Sequence, residues 1–193
     1  MSASPNLSAE SPFLAAANGR KHLHTPVWFM RQAGRSLPEY KAIRGSGSIL
    51  EAIKQPALAT EITLQPFLRY GVDAAVLYSD IVVPPHAVGF GIDVAPGTGP
   101  VAENAFRSLS DLKRLRPLES DDVSYVIETV KLLVAELPTT VPLLAFAGAP
   151  FTVASYLIEG RPSRTYQNTK RMIHLEPELW HQLMDRLVQH SVT

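Results

Sequence analysis

The sequence predicts an α/β fold, a parallel sheet covered by helices on both sides. Three short apolar runs, Val27 to Met30, Val72 to Tyr78 and Pro142 to Phe146, alternate with segments of helical length. The second run is apolar throughout except for Asp73, the pattern of a strand buried on both faces. Such strands separated by helices indicate parallel connections. A doubly wound sheet and a β/α barrel both satisfy this order, and in both the ligand site gathers at the carboxyl ends of the strands. Arg31, Asp80 and Gly148 each stand just beyond such an end.

The elements follow in order. Residues 1–10 are expected to be a disordered tail and residues 11–193 one domain, with Ser11-Pro12-Phe13-Leu14 as the entry. Met1 to Asn18 lacks the basic start and long apolar block of a secretory signal. Pro56 to Tyr70 predicts a helix, because proline suits a first turn and Gly71 can end it in a left-handed conformation. Pro66 lies inside and should kink it. Ile81 to Pro100, rich in Gly and Pro, reads as a long loop or irregular hairpin. Ser110 to Leu115 is a short helical turn. Asp121 to Leu137 is the clearest amphipathic helix, with Val123, Val126, Ile127, Val130, Leu133, Val134 and Leu137 at helical spacing and Pro138 as its stop. Helices are expected at Phe151 to Ile158, Ser163 to His174 and Pro177 to His190. Three or four parallel strands cannot close a barrel, which needs eight strands and about 250 residues. The expectation is therefore the N-terminal half of something larger.

Composition narrows the function classes. The chain has 193 residues, 46% of them hydrophobic, which suffices for a core. No run of about 18 apolar residues is present, so no membrane helix is expected. With 18 basic and 18 acidic residues the formal net charge is zero, unlike a general nucleic-acid binder. There are no cysteines, which excludes disulfides, thiolate metal sites and a cysteine nucleophile within the chain. His174, Glu178 and His181 share a helix face without a tight ligand pair, so no metal is assigned to them. His22 and His24 read as solvated, and Trp28 and Trp180 as core or interface residues. Gly89-Phe90-Gly91 and Gly97-Thr98-Gly99 lack the spacing of a phosphate loop.

Charge is unevenly placed. From Arg20 to Arg44 there are six Lys/Arg against one acid, Glu39. Arginine keeps its charge and offers a planar fork matched to carboxylate or phosphate. Arg31 and Arg35 flank Gly34, and Arg44 can join them, which suits a small ligand with several acid groups. The bland alternative is a set of solvated arginines, with Glu39 as one partner. Asp80 at a strand mouth would accept ligand N–H groups and stabilise developing positive charge. Its bland alternative is a helix cap, weakened because Ile81-Val82-Val83-Pro84-Pro85 is a poor helix start. The Tyr156 hydroxyl could reach a ligand from the helix after the third strand, or be satisfied in the core.

Phe29-Met30-Arg31-Gln32-Ala33-Gly34-Arg35 with Leu37-Pro38-Glu39-Tyr40 resembles the signature of the uroporphyrinogen decarboxylase family. Tyr78-Ser79-Asp80-Ile81 and Gly148-Ala149-Pro150-Phe151-Thr152 with Tyr156 resemble further family segments in the same order. The resemblance runs from about Ser11 to the end. It implies the N-terminal half of a (β/α)8 barrel, a homodimer when full length, a cytoplasmic location and no cofactor. It implies removal of CO2 from the four acetate side chains of uroporphyrinogen III, an octacarboxylate, to give coproporphyrinogen III in haem biosynthesis. Arg31, Gln32, Ala33, Gly34, Arg35, Arg44, Asp80 and Tyr156 would bind substrate. Asp80 would face the pyrrole N–H groups and act in catalysis with Arg31, the better proton-donor candidate only if it lies against the ring carbon. Ser36 stands where the family usually has Tyr. This segment alone is expected to be inactive. Alternatives on the same resemblance are a cobalamin- or zinc-dependent methyltransferase of related barrels, or a noncatalytic tetrapyrrole-binding fragment.

Overall fold

The computed structural model describes residues 11–29 and 37–192. Residues Met30 to Ser36, which include most of the arginine motif, lie outside them. The chain forms two compact units. The first draws its described residues from Met1–Gly47, Ala52–Tyr78 and Tyr125–Ala145; the second comprises Ser48–Glu51, Ser79–Ser124 and Phe146–Thr193.

In the first unit, helix α1 (Pro12–Ala17) starts where Ser11 Oγ accepts the Leu14 N–H, and α2 (Pro38–Arg44) begins on a proline. Neither was anticipated; α3 (Ile49–Ile53), which straddles the unit boundary, was not either. Helix α4 (Pro56–Tyr70) has the predicted bounds. Pro56 occupies the first turn, where its missing N–H costs nothing, and Gly71 closes the helix at φ +61°. Pro66 is inside it and buried.

Strand β1 (Ala75–Val76) pairs in parallel with β4 (Leu143–Leu144), Ala75 opposite Leu143 and Val76 opposite Leu144. The Ala75 N–H to Pro142 O and Leu77 N–H to Leu144 O bonds, each 3.0 Å, extend the ladder. The parallel direction is as expected, and both strands are shorter than expected. Ala74, Ala75, Leu77 and Tyr78 are buried.

The expected strand at Val27 to Met30 does not form over its described part, Val27 to Phe29. Val27 O does accept the Asp73 N–H at 2.9 Å, but the Val27 N–H goes to the Asp73 carboxylate at 2.7 Å rather than to a backbone carbonyl. One rung is satisfied by a side chain, and the ladder stops there. Phe29 is 57% exposed.

The predicted amphipathic helix opens as a 3-10 turn, Ser120–Val123, and continues as α6 (Ser124–Glu136). Its apolar stripe is unevenly used: Leu133 is fully buried, while Ile127 and Val134 are exposed.

In the second unit, the segment expected as loop or irregular hairpin contains helix α5 (Val83–Ala87) followed by an antiparallel hairpin, β2 (Ile92–Ala95) and β3 (Gly99–Ala102). Pro84 and Pro85, which make this segment a poor helix start by sequence, fall in the first turn of α5, where proline is favourable. The turn near Ser110 is a 3-10 helix, Leu109–Arg114, closed by reciprocal bonds between Ser108 and Asp111.

Helix α7 (Pro150–Glu159) lies against the hairpin's return. The Ala102 N–H donates to Gly160 O at 2.9 Å, and the Phe106 N–H donates to Leu157 O at 2.8 Å. Phe106 is wholly buried. Helix α8 (Gln167–Leu175) starts four residues later than expected. Ser163 Oγ accepts the N–H groups of Thr165 and Tyr166, and Tyr166 takes φ +52°, so this turn cannot be helical. Glu159 then accepts the Thr169 N–H and hydroxyl, both at 2.9 Å, in the first turn. Helix α9 (Pro177–Val192) buries Leu183 and Leu187.

One buried side chain ties α4 to the end of β1. Thr63 Oγ1 accepts the Tyr78 N–H at 2.9 Å and donates to Ala59 O at 2.8 Å. Thr63→Val keeps the shape and strands a buried N–H. It should lower stability by about 1–3 kcal/mol, read as the shift in a urea unfolding midpoint at unchanged m-value. No shift would mean that Tyr78 is held by packing alone.

Candidate active site

The turns that follow β1 and β4 meet in the second unit. A Cβ on Gly148 would sit 2.5 Å from Val153 Cγ2 and 2.9 Å from Ile81 Cβ. Both distances are below any ordinary van der Waals contact, so only glycine lets the turn after β4 lie this close to the turn that carries Asp80. This is the part of the predicted convergence that the described residues contain: Asp80 and Gly148 are neighbours through Ile81.

Asp80 shapes the turn before α5, although the helix's N-cap is Val82 and no side chain caps it. Its Oδ1 accepts the Val82 N–H at 3.0 Å, and its main-chain carbonyl accepts the Val83 N–H at 3.2 Å, so it shapes the entry to α5. A helix does follow Asp80, contrary to expectation. Yet the carboxyl is not spent on the surface. Burial pushes its pKa above the usual 3.8, and the Ile81 and Val82 N–H groups offset only part of that. The result is a half-buried carboxylate with backbone donors on one side and no cation paired with it among the described residues.

Two aromatic rings border the same turn. Phe146 and Phe151, on either side of Gly148-Ala149-Pro150, are 46% and 53% exposed. Phe151 also meets the edge of Trp180, ring centroids 5.9 Å apart. Sequence reading assigned neither phenylalanine a role; apolar residues flanking a Gly-Ala-Pro turn were the available signal. Tyr156 is half-buried on α7, and no hydrogen bond among the described residues joins it to Asp80.

Arg44 is in the first unit, at the last position of α2. Its Nη1 donates to Gly45 O at 3.0 Å. Glu39 pairs with Arg69 at 2.8 Å. His24, read as solvated, bonds Asp73 at 2.7 Å. Arg31, Gln32, Ala33, Gly34 and Arg35 lie outside the described residues.

Such a site can bind an apolar ring system against the phenylalanines and hold cationic or N–H-bearing atoms at Asp80. A buried carboxylate also costs stability once ionised. Because its folded pKa is raised, that stability is intact below pH 3.8 and is lost as pH rises through the folded value. Asp80→Asn should therefore melt higher than the parent at pH 7, the gap closing as pH falls below 4; a gap independent of pH would place the burial cost elsewhere. Gly148→Ala should lower stability by about 1–3 kcal/mol in the same melts, and an unchanged melt would show that the turn has room.

The family model described as uroporphyrinogen decarboxylase (URO-D) matches residues 8–193. The uroporphyrinogen decarboxylase of Salinispora tropica is 55% identical over 185 residues, which is 96% of this chain and 50% of that protein. That of Streptomyces avermitilis is 54% identical, over 96% of this chain and 52% of the relative. The chain thus spans about half the length of the curated relatives it matches. A methyltransferase from Methanosarcina mazei shares the fold, with a TM-score of 0.68 at 19% identity, over 94% of this chain and 52% of that one.

Proposed function

The chain belongs to the uroporphyrinogen decarboxylase family, and from that premise we propose that it supplies the N-terminal half of a (β/α)8 barrel that decarboxylates uroporphyrinogen III to coproporphyrinogen III. The observation that carries this reading is identity of 55% over 96% of the chain to a protein of that name, with the arginine motif intact. The parallel β1–β4 pair is consistent with a barrel segment.

The substrate has eight carboxylates, and the motif arginines Arg31 and Arg35, with Arg44, are their counter-charges; Gln32, Ala33 and Gly34 line the turn between them. In each of four steps a proton adds to the pyrrole carbon beside the acetate. The bond from the acetate methylene to its carboxyl then breaks, CO2 leaves, and the bond's electron pair discharges the ring cation. A second proton turns the exocyclic methylene into methyl, and the ring carbon gives up the proton it first took, so the pyrrole is restored and each step consumes one proton net. Asp80, ionised in a low-dielectric setting, accepts pyrrole N–H groups and stabilises the ring cation. Arg31 serves as proton donor only if it reaches the ring carbon. Phe146 and Phe151 offer apolar faces to the macrocycle, and Tyr156 stands near the reacting acetate. The complete protein acts as a homodimer in the cytoplasm.

The test joins this chain to the C-terminal half of the Salinispora tropica relative and follows uroporphyrinogen III by chromatography of its oxidised products. The chimera should yield coproporphyrinogen, the 193-residue chain alone should not, and Asp80→Asn in the chimera should still bind while losing about 10²-fold or more in kcat. A folded chimera that forms no coproporphyrinogen overturns the assignment. Full turnover by Asp80→Asn removes that residue from the mechanism.

A further inference from the structure

We infer that His190 and Arg186 on α9 form an acid-sensitive latch on the segment that leads into α6, closed while the His190 ring is neutral and released when the ring takes a proton. Both side chains and the residues they hold lie in the second unit. Arg186 Nη1 donates to Leu115 O, and His190 Nε2 meets Arg116 O at 2.7 Å. Residues 186 and 190 are about one turn apart on α9. The carbonyls they reach are consecutive, so one helix face grips one stretch of chain.

The proton state of His190 follows from its partner. A carbonyl oxygen only accepts, so Nε2 carries the hydrogen, and in the neutral ring Nδ1 is a bare acceptor. Nδ1 is buried without a hydrogen-bond partner, and the residue is only 5% exposed. A proton on Nδ1 creates a buried N–H with no acceptor and a buried charge with no water.

The surrounding charges do not relieve it. Arg186 has no carboxylate partner among the described residues. Asp122 is engaged by Arg116 through bonds of 2.7 and 2.5 Å, which help hold its pKa down to about 2, so it stays ionised while histidine titrates. Glu119 and Asp121 on the gripped segment and Asp185 on α9 are exposed. Helix α5 packs on α9 and on the Ser120–Val123 turn; its His86 Nδ1 is bonded to Ile92 O at 2.7 Å. On α7 the acid Glu159 is taken by Thr169 and Asn168, and α8 adds Lys170, Arg171 and His174, all exposed. Burial lowers the His190 pKa below its ordinary 6.5, and both guanidinium groups act in the same direction, against the Arg116 carbonyl and Asp122. The stability of the closed latch is therefore complete above pH 6.5 and is lost as pH falls from there toward the folded value. Leu183 and Leu187 are buried and hold the middle of α9, so release is confined to its last turn and residues 115–123.

The test compares the 193-residue chain with His190→Gln, which keeps an N–H donor for Arg116 O and cannot titrate, and with Arg186→Gln. Hydrogen–deuterium exchange of residues 115–123 is followed from about pH 7.5 to about pH 5.5 and corrected for the intrinsic pH dependence of exchange. In the parent it should rise by up to about tenfold. In His190→Gln it should stay flat, and in Arg186→Gln it should rise by a smaller factor from a higher baseline. No rise in the parent, or an equal rise in parent and His190→Gln, overturns the latch. So does a loss of protection spread evenly over the chain, which reports global acid unfolding. If His190→Gln does not fold, the His190 imidazole resonance of the parent decides: a titration midpoint below 6.5 supports the latch, and one at or above 6.5 overturns it.

Discussion

Two backbone hydrogen bonds set the direction of everything that follows them in the chain. The Ala75 N–H to Pro142 O and Leu77 N–H to Leu144 O bonds make β1 and β4 parallel. Parallel strands deliver their next residues toward the same end, so the segments that begin at Ser79 and Ala145 leave from one side. Antiparallel pairing would send Asp80 and Gly148 apart. With parallel pairing they become neighbours, and the absence of a side chain at Gly148 lets Ile81 approach. A two-residue strand contributes little stability of its own; its burial between α4 and the rest of the first unit keeps it in register.

The same economy of charge appears at the carboxylate and at the guanidinium. Asp80 is steadied by backbone N–H groups and Arg44 by the Gly45 carbonyl. Neither is met by an opposite charge among the described residues. An ion pair would have used up the charge. Dipoles hold position and leave the charge to be completed by a ligand.

Where local rules decide the structure, the sequence was readable. Helix α4 runs between a proline and a glycine that each have one favourable place, and α7 and α9 open on prolines. Where a side chain competes for the backbone, it was not. Ser163 delays α8, the Asp73 carboxylate takes the Val27 N–H, and Asp80 helps start a helix that two prolines had argued against. The candidate site divides the same way. Motif spacing pointed to Asp80, Arg44 and Tyr156, and to Arg31 through Arg35, which lie outside the described residues. Nothing local could have paired Tyr40 with Tyr78 across 38 positions, or shown that Glu39 would turn to Arg69. Those are consequences of packing.

The hairpin that closes over the end of α7 carries a further implication for how the chain acquires its structure. Phe106 and Ala102 supply N–H donors to the carbonyls of Leu157 and Gly160 at the end of α7, 51 and 58 positions later. During synthesis the hairpin leaves the ribosome first and can fold on local contacts alone. The helix emerges afterwards onto a surface that already presents the donors its carboxyl end lacks. Translation order and contact order therefore work in the same direction here.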